Sequence, residues 1–142
     1  MIDLLDVNLL VSLAWPNHVH HVQALTWFRR RGSEPWATTP FTEAGFVRVS
    51  SNVSAVPAAV TPTEAVALLD RIRDDPSHRF LVDDVPLVVG PHLAAERVAT
   101  YRQVSDAHLL ALARRHGARL ATIDRGVSAL AGGDDLVLVP VA

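Results

Sequence analysis

Short apolar runs alternate with amphipathic stretches along the chain. Residues 2–5 form an apolar run that predicts a buried strand, ended by Asp6. Residues 7–15 are apolar on several faces and stop at Pro16-Asn17, which predicts a short, largely buried helix. Residues 18–31 predict a second helix, with Val22, Leu25 and Phe28 on one face, arginines at its end and Gly32 as its stop. A second strand is expected at 35–38. Pro40 opens a helix to about residue 51, with Phe41, Ala44, Phe46 and Val47 as packing residues, and 52–60 is a loop. Thr61-Pro62-Thr63-Glu64 is a capping box that starts a helix running to about residue 74. Strands follow at 79–82, 120–123 and 136–139. Helices are expected at 91–101 and 105–116, the latter capped by Ser105 and stopped by Gly117. Unbroken apolar strands between helices predict a parallel sheet covered on both faces, a three-layer α/β sandwich. There is no repeat, low-complexity tract or linker, so residues 1–142 are expected to form a single domain.

Composition narrows the chemistry. The chain of 142 residues has no cysteine and no lysine, so all thirteen basic residues are arginines. That removes disulfides, thiol nucleophiles, cysteine zinc sites, Schiff bases and the lysine-bearing P-loop. No two glycines form the G-x-G of a dinucleotide fingerprint. The net charge of −2 gives nucleic-acid binding no support by itself. Acids at positions 3 and 6 do not suit a signal peptide, and no apolar run approaches the ~18 residues that span a bilayer. A cytoplasmic location without a membrane partner is expected.

Most of the fifteen acids sit beside turns or on amphipathic faces, where solvated charges belong. Four sit in apolar settings. Asp6 lies within Leu4-Leu5-Asp6-Val7-Asn8-Leu9-Leu10, where an unpaired buried carboxylate would cost several kcal/mol. It can serve as an N-cap, or as a ligand group at the carboxyl end of a strand. Glu43 comes one position too late for a capping box begun at Thr39, and can be a helix-dipole partner or a site residue. Asp106 begins Ser105-Asp106-Ala107-His108, and Asp124 ends Leu120-Ala121-Thr122-Ile123-Asp124. Two of these acids follow strands and two start helices, places that share the carboxyl edge of a parallel sheet. Four carboxylates converging there need cations between them, and hard cations that prefer oxygen, Mg²⁺ or Mn²⁺, suit the task.

Leu5-Asp6-Val7-Asn8-Leu9-Leu10, Thr42-Glu43, Ser105-Asp106-Ala107-His108-Leu109 and Ala121-Thr122-Ile123-Asp124-Arg125-Gly126 resemble the four acidic motifs of PIN domains. The order and spacing, over nearly the whole chain, resemble the VapC toxins of bacterial toxin–antitoxin pairs. The resemblance implies a metal-dependent ribonuclease. Asp6 and Asp106 would be the principal Mg²⁺ ligands, Mn²⁺ being a possible substitute. Glu43 and Asp124 would complete the site, supported by Asn8 and Thr122. It further implies metal-activated water leaving 5′-phosphate and 3′-hydroxyl ends on RNA, a homodimer, and inhibition by a VapB-type antitoxin.

The alternative is a catalytically silent PIN-like module that binds RNA or protein. A phosphatase or phospho-receiver fits poorly, because Asn8 replaces the second aspartate of D-x-D and there is no lysine. His18, His20 and His21 read as polar residues at an exposed helix start. His108 points away from Asp106 on a helix, so a structural or substrate-adjacent role is expected. Arg29, Arg30, Arg31, Arg114, Arg115 and Arg119 are candidate phosphate contacts, and Trp15, Trp27 and Trp36 read as packing residues.

Overall fold

Five parallel strands form one sheet in the computed structural model, which describes residues 1–87, 98, 100–131 and 133–141. The strands are β1 (Asp3–Leu5), β2 (Trp36–Thr38), β3 (His78–Phe80), β4 (Arg119–Thr122) and β5 (Leu136–Leu138). Their order is β3-β2-β1-β4-β5. β1 is central, and the chain winds to one side of it through β2 and β3 and to the other through β4 and β5. The order therefore reverses beside β1, the place where open parallel sheets leave a crevice at their carboxyl ends.

Strand periodicity sorts the core into two layers. Leu4, Ala37 and Leu120 face one side and pack with Leu109, Leu110 and Leu112 of α5 (Val104–Arg115). Leu5, Trp36 and Ala121 face the other. They meet α1 (Val7–Ala14), α2 (His21–Arg30), α3 (Pro40–Ser50) and α4 (Pro62–Ile72) through Leu9, Leu10, Ala24, Phe46 and Leu69. This is the expected three-layer sandwich. Each large side chain fully removed from water stabilises it by about 1.5–3 kcal/mol. α1 and α3 meet closely because residue 45 is glycine: a Cβ there would stand 2.5 Å from Val7 Cγ2.

Several boundaries differ from the sequence pattern for identifiable reasons. α2 starts at His21, and its packed residue is Ala24; Val22 is 71% exposed. Phe41 is 40% exposed and Ala44 is also exposed, so the packed face of α3 is Thr42, Gly45 and Phe46. β3 begins one residue earlier than expected and is polar, as suits an edge strand with little burial. α5 begins at Val104, continuing a 3₁₀ turn over Tyr101–Gln103, so Ser105 lies inside the helix and does not cap it. The helix expected at 91–101 falls largely outside the described residues. Thr61 does cap α4, its hydroxyl accepting the Glu64 N–H at 3.2 Å. No helix among the described residues is long and apolar enough to cross a membrane.

At the amino edge of the sheet, Asp3 is 1% exposed. Its two oxygens accept from Arg31 Nε at 2.8 Å and Arg119 Nε at 2.9 Å. Arg31 also donates to the Pro35 carbonyl at 2.7 Å. This buried cluster ties the end of α2 and the start of β4 to β1. It corrects the expectation for Arg31 and Arg119, which are structural counter-ions. Arg114 and Arg115 likewise pair with acids, Asp135 at 2.8 Å and Asp84 at 3.6 Å. Trp36 is buried as expected, and its indole N–H donates to Asp75 at 3.1 Å.

Candidate active site

At the carboxyl edge, β1 ends in Asp6. Its N–H still joins the ladder, donating to the Ala121 carbonyl at 2.9 Å, while its side chain turns to cap α1. Oδ1 accepts the Val7 N–H at 2.8 Å and Oδ2 accepts the Thr122 hydroxyl at 2.9 Å. Asp6 is therefore a cap, and it is also a strand-end carboxylate that lines a crevice. The residue is 6% exposed and has no ion-pair partner among the described residues. Burial pushes its carboxyl above the ordinary range against the two hydrogen bonds, and the charge of Asp124 pushes the same way.

Thr122 is the centre of the supporting network. Its hydroxyl has one proton, which goes to Asp6. The same oxygen accepts Asn8 Nδ2 at 3.2 Å and the Asp124 N–H at 3.1 Å. Asn8, Thr122 and Asp124 are thereby fixed relative to Asp6. Asp124 is exposed, and its Oδ1 accepts the Gly126 N–H at 2.8 Å as β4 turns into a 3₁₀ helix. Asp106 lies in the first turn of α5, with no hydrogen-bond or ion-pair partner among the described residues. Burial, and then the charges of Asp6 and Asp124, push its carboxyl up to about 6.

Asp6, Asp106 and Asp124 line one cleft of about 320 Å³ with Asn8, His18, Val11 and Val49. No arginine is among the described residues that line it. His18 is the residue that the sequence pattern passed over, since it showed no acidic neighbour; the acids arrive from β1, α5 and β4. Its Nδ1 accepts the His20 N–H at 3.0 Å, which leaves the ring proton on Nε2. Burial and the neighbouring His20 and His21 hold its pKa below the usual value, so it enters the cleft as a neutral donor. His21 faces elsewhere, with Nδ1 2.8 Å from the Ser12 carbonyl.

Glu43 is held differently from the other three acids. Oε2 accepts the Thr38 hydroxyl at 2.6 Å, and Oε1 faces Arg73 at 3.3 Å. The structure thus brings Asp6, Asp106 and Asp124 together and keeps Glu43 on the β3 side of α3. Among the described residues, no three His, Asp or Glu side chains already stand close enough to enclose a metal ion. His108 faces away from the cleft, pairing with Asp83 at 2.9 Å.

A PIN-domain family model matches residues 4–133. Ribonuclease VapC39 of Mycobacterium tuberculosis is 50% identical over 128 residues, covering 90% of this chain and 92% of that relative. Ribonuclease VapC38 of the same species is 51% identical over 128 residues, covering 90% and 89%. Among solved structures, PAE2754 from Pyrobaculum aerophilum aligns with a TM-score of 0.60 at 24% identity, covering 96% of this chain and 83% of that one. Mycobacterium tuberculosis VapC20, described as a sarcin-ricin loop cleaving toxin, aligns with a TM-score of 0.59 at 14% identity, covering 89% and 93%. At those identities the two structures support the fold alone. The match across residues 4–133 and the identity at half of the aligned positions show that the chain belongs to the PIN-domain family and, within it, to the VapC ribonucleases.

Proposed function

We propose that this protein is an Mg²⁺-dependent endoribonuclease that acts as the toxin of a toxin–antitoxin pair. The observation that carries the metal dependence is the buried carboxylate of Asp6, which shares a cleft with Asp106 and Asp124 and has no cation among the described residues to balance it. A cluster of like charges at a water-filled edge suits a cation held by oxygen donors. Asp6 and Asp106 would be the principal holders, with Asp124 and Glu43 completing the set. The donors are all carboxylate oxygens, which favours Mg²⁺, with Mn²⁺ as a substitute. Such an ion supplies a Lewis acid for a phosphate oxygen and a more acidic water.

The chain's own residues do the positioning. Thr122 and the Val7 N–H fix both oxygens of Asp6, and Asn8 fixes Thr122. His18 lines the same cleft and carries its ring proton on Nε2, so it is a candidate donor to a phosphate oxygen. Arg29 and Arg30, exposed in the last turn of α2, are free to meet the RNA backbone. The family resemblance also supports a VapB-type antitoxin partner and a homodimer. Purified protein should cleave RNA with Mg²⁺, leaving 5′-phosphate ends, and should lose that activity with EDTA or with Asp6→Ala. Cleavage that survives both treatments would overturn the proposal.

A silent binding module is the second reading, because the carboxylates are not yet at chelating distance from one another. Calorimetry with Mn²⁺ separates the two. Saturable binding that depends on Asp6 and Asp106 favours the nuclease, and its absence favours the module.

A further inference from the structure

Glu43 has both carboxylate oxygens occupied by the protein, and the two partners differ in kind. Thr38 is fully buried and its hydroxyl lies 2.6 Å from Oε2. The same hydroxyl lies 2.7 Å from His78 Nε2. A hydroxyl has one proton, and an ionised carboxylate only accepts, so Thr38 donates to Glu43 and His78 donates from Nε2 to Thr38. His78 is thereby fixed as its Nε2–H tautomer, braced edge-on against Trp36 with ring centroids 4.8 Å apart. This side of Glu43 is a packed chain that cannot let go without disturbing the β2–β3 pair.

The other side is looser. Arg73 lies just past the end of α4, its side chain is 40% exposed, and its contact with Oε1 is 3.3 Å. In the same position the guanidinium lies over the Phe80 ring, 5.1 Å from the centroid, a contact that does not depend on Glu43. An ion pair this exposed contributes little stability, so a cation can replace it. Glu43 is in the first turn of α3, two residues before Gly45, whose backbone packs against Val7 beside Asp6.

We propose that Arg73 is a positioning residue that holds Glu43 in reserve, so that the fourth carboxylate joins the site only by exchanging this guanidinium for the metal ion. The proposal rests on the metal-dependent reading above. It makes Arg73 an internal competitor for the cation and Thr38 the pivot that Glu43 keeps in both states. Metal affinity is then set partly by the residue that follows α4, which no carboxylate motif contains.

Calorimetric titration with Mn²⁺ tests it in the full chain, with wild type, Arg73→Gln, Glu43→Gln and the double variant, each checked for folding by circular dichroism. Arg73→Gln should bind Mn²⁺ about two- to fivefold tighter, the range an exposed ion pair can cover. The gain should vanish in the Glu43→Gln background, and Arg73→Lys should restore the wild-type affinity. A gain of equal size in both backgrounds would show only the field of a lost positive charge and would overturn the proposal. Unchanged affinity in Arg73→Gln, with wild-type binding intact, would overturn the reserve alone. Wild-type protein that binds no Mn²⁺ would overturn the metal-dependent reading together with it.

Discussion

β1 carries an aspartate at each end, and the two ends are balanced in opposite ways. Asp3 and Asp6 are both almost fully buried, on the same strand, roughly 10 Å apart at about 3.3 Å per residue. Asp3 is closed between two guanidiniums, and every oxygen has a charged donor. Asp6 has only a backbone N–H and a hydroxyl, and its nearest charges are other carboxylates. Among the described residues, arginines balance one end of the strand and none reaches the other. The carboxyl edge is thus underbalanced there, which suits the cation proposed for it.

Removing each carboxylate should therefore have opposite consequences. Asp3→Ala strands Arg31, whose side chain is 8% exposed, and breaking one partner of a buried pair costs about 3–5 kcal/mol. Chemical denaturation should show that loss; a change under about 1 kcal/mol would mean that Arg31 finds water instead. Asp6→Asn should leave the fold standing or firmer, and lower Mg²⁺-dependent RNA cleavage by about 100-fold or more. An Asp6→Asn protein that melts well below wild type in EDTA would contradict the contrast. Gly45→Ala should cost about 1–3 kcal/mol, because the added methyl meets Val7 and shifts the start of α1. Its Mn²⁺ affinity should fall with its stability, since Val7 holds one Asp6 oxygen.

The smallest effect is one of pH. Asp106 ionises at about 6 in the folded chain against an ordinary value of 3.8. Between those values the folded state holds a proton that the unfolded state has released, so metal-free stability falls as pH rises from about 4 to 6 and is flat above. Asp6, shifted the same way, adds to the trend. Melting curves in EDTA should show the slope, which solvent around the half-buried Asp106 screens down to on the order of 1 kcal/mol, and Asp106→Asn should flatten it. With Mn²⁺ present the dependence should invert, because protons and metal compete for the same oxygens.

The acid at the open end of β1 was legible in the sequence and the acid at the closed end was not. Asp6 and Asp124 stand out because each directly follows an apolar strand, and Asp106 because it opens a buried helix. Asp3 sits inside the first apolar run, and nothing nearby shows that its counter-ions are 28 and 116 residues away. His18 was passed over for the same reason, its acidic neighbours being spatial and not sequential. Arg31 and Arg119 look like surface charge until the sheet closes. The sheet itself was readable from unbroken apolar runs alternating with helices. The cap of α5 was not, because Ser105 is a good cap by type and a continuing 3₁₀ turn displaces it.

The central place of β1 has a consequence in time. β1 lies between β2 and β4, and its partner on one side is residues 119–122, far later in the chain. Asp6 is held by Thr122, 116 positions later in the chain. A nascent chain that has not yet released that stretch lacks the hydroxyl that orients Asp6, and it lacks Asp124 as well. The acidic edge is therefore assembled only after residues 119–124 have been made, when β1 and β4 can fold as one unit.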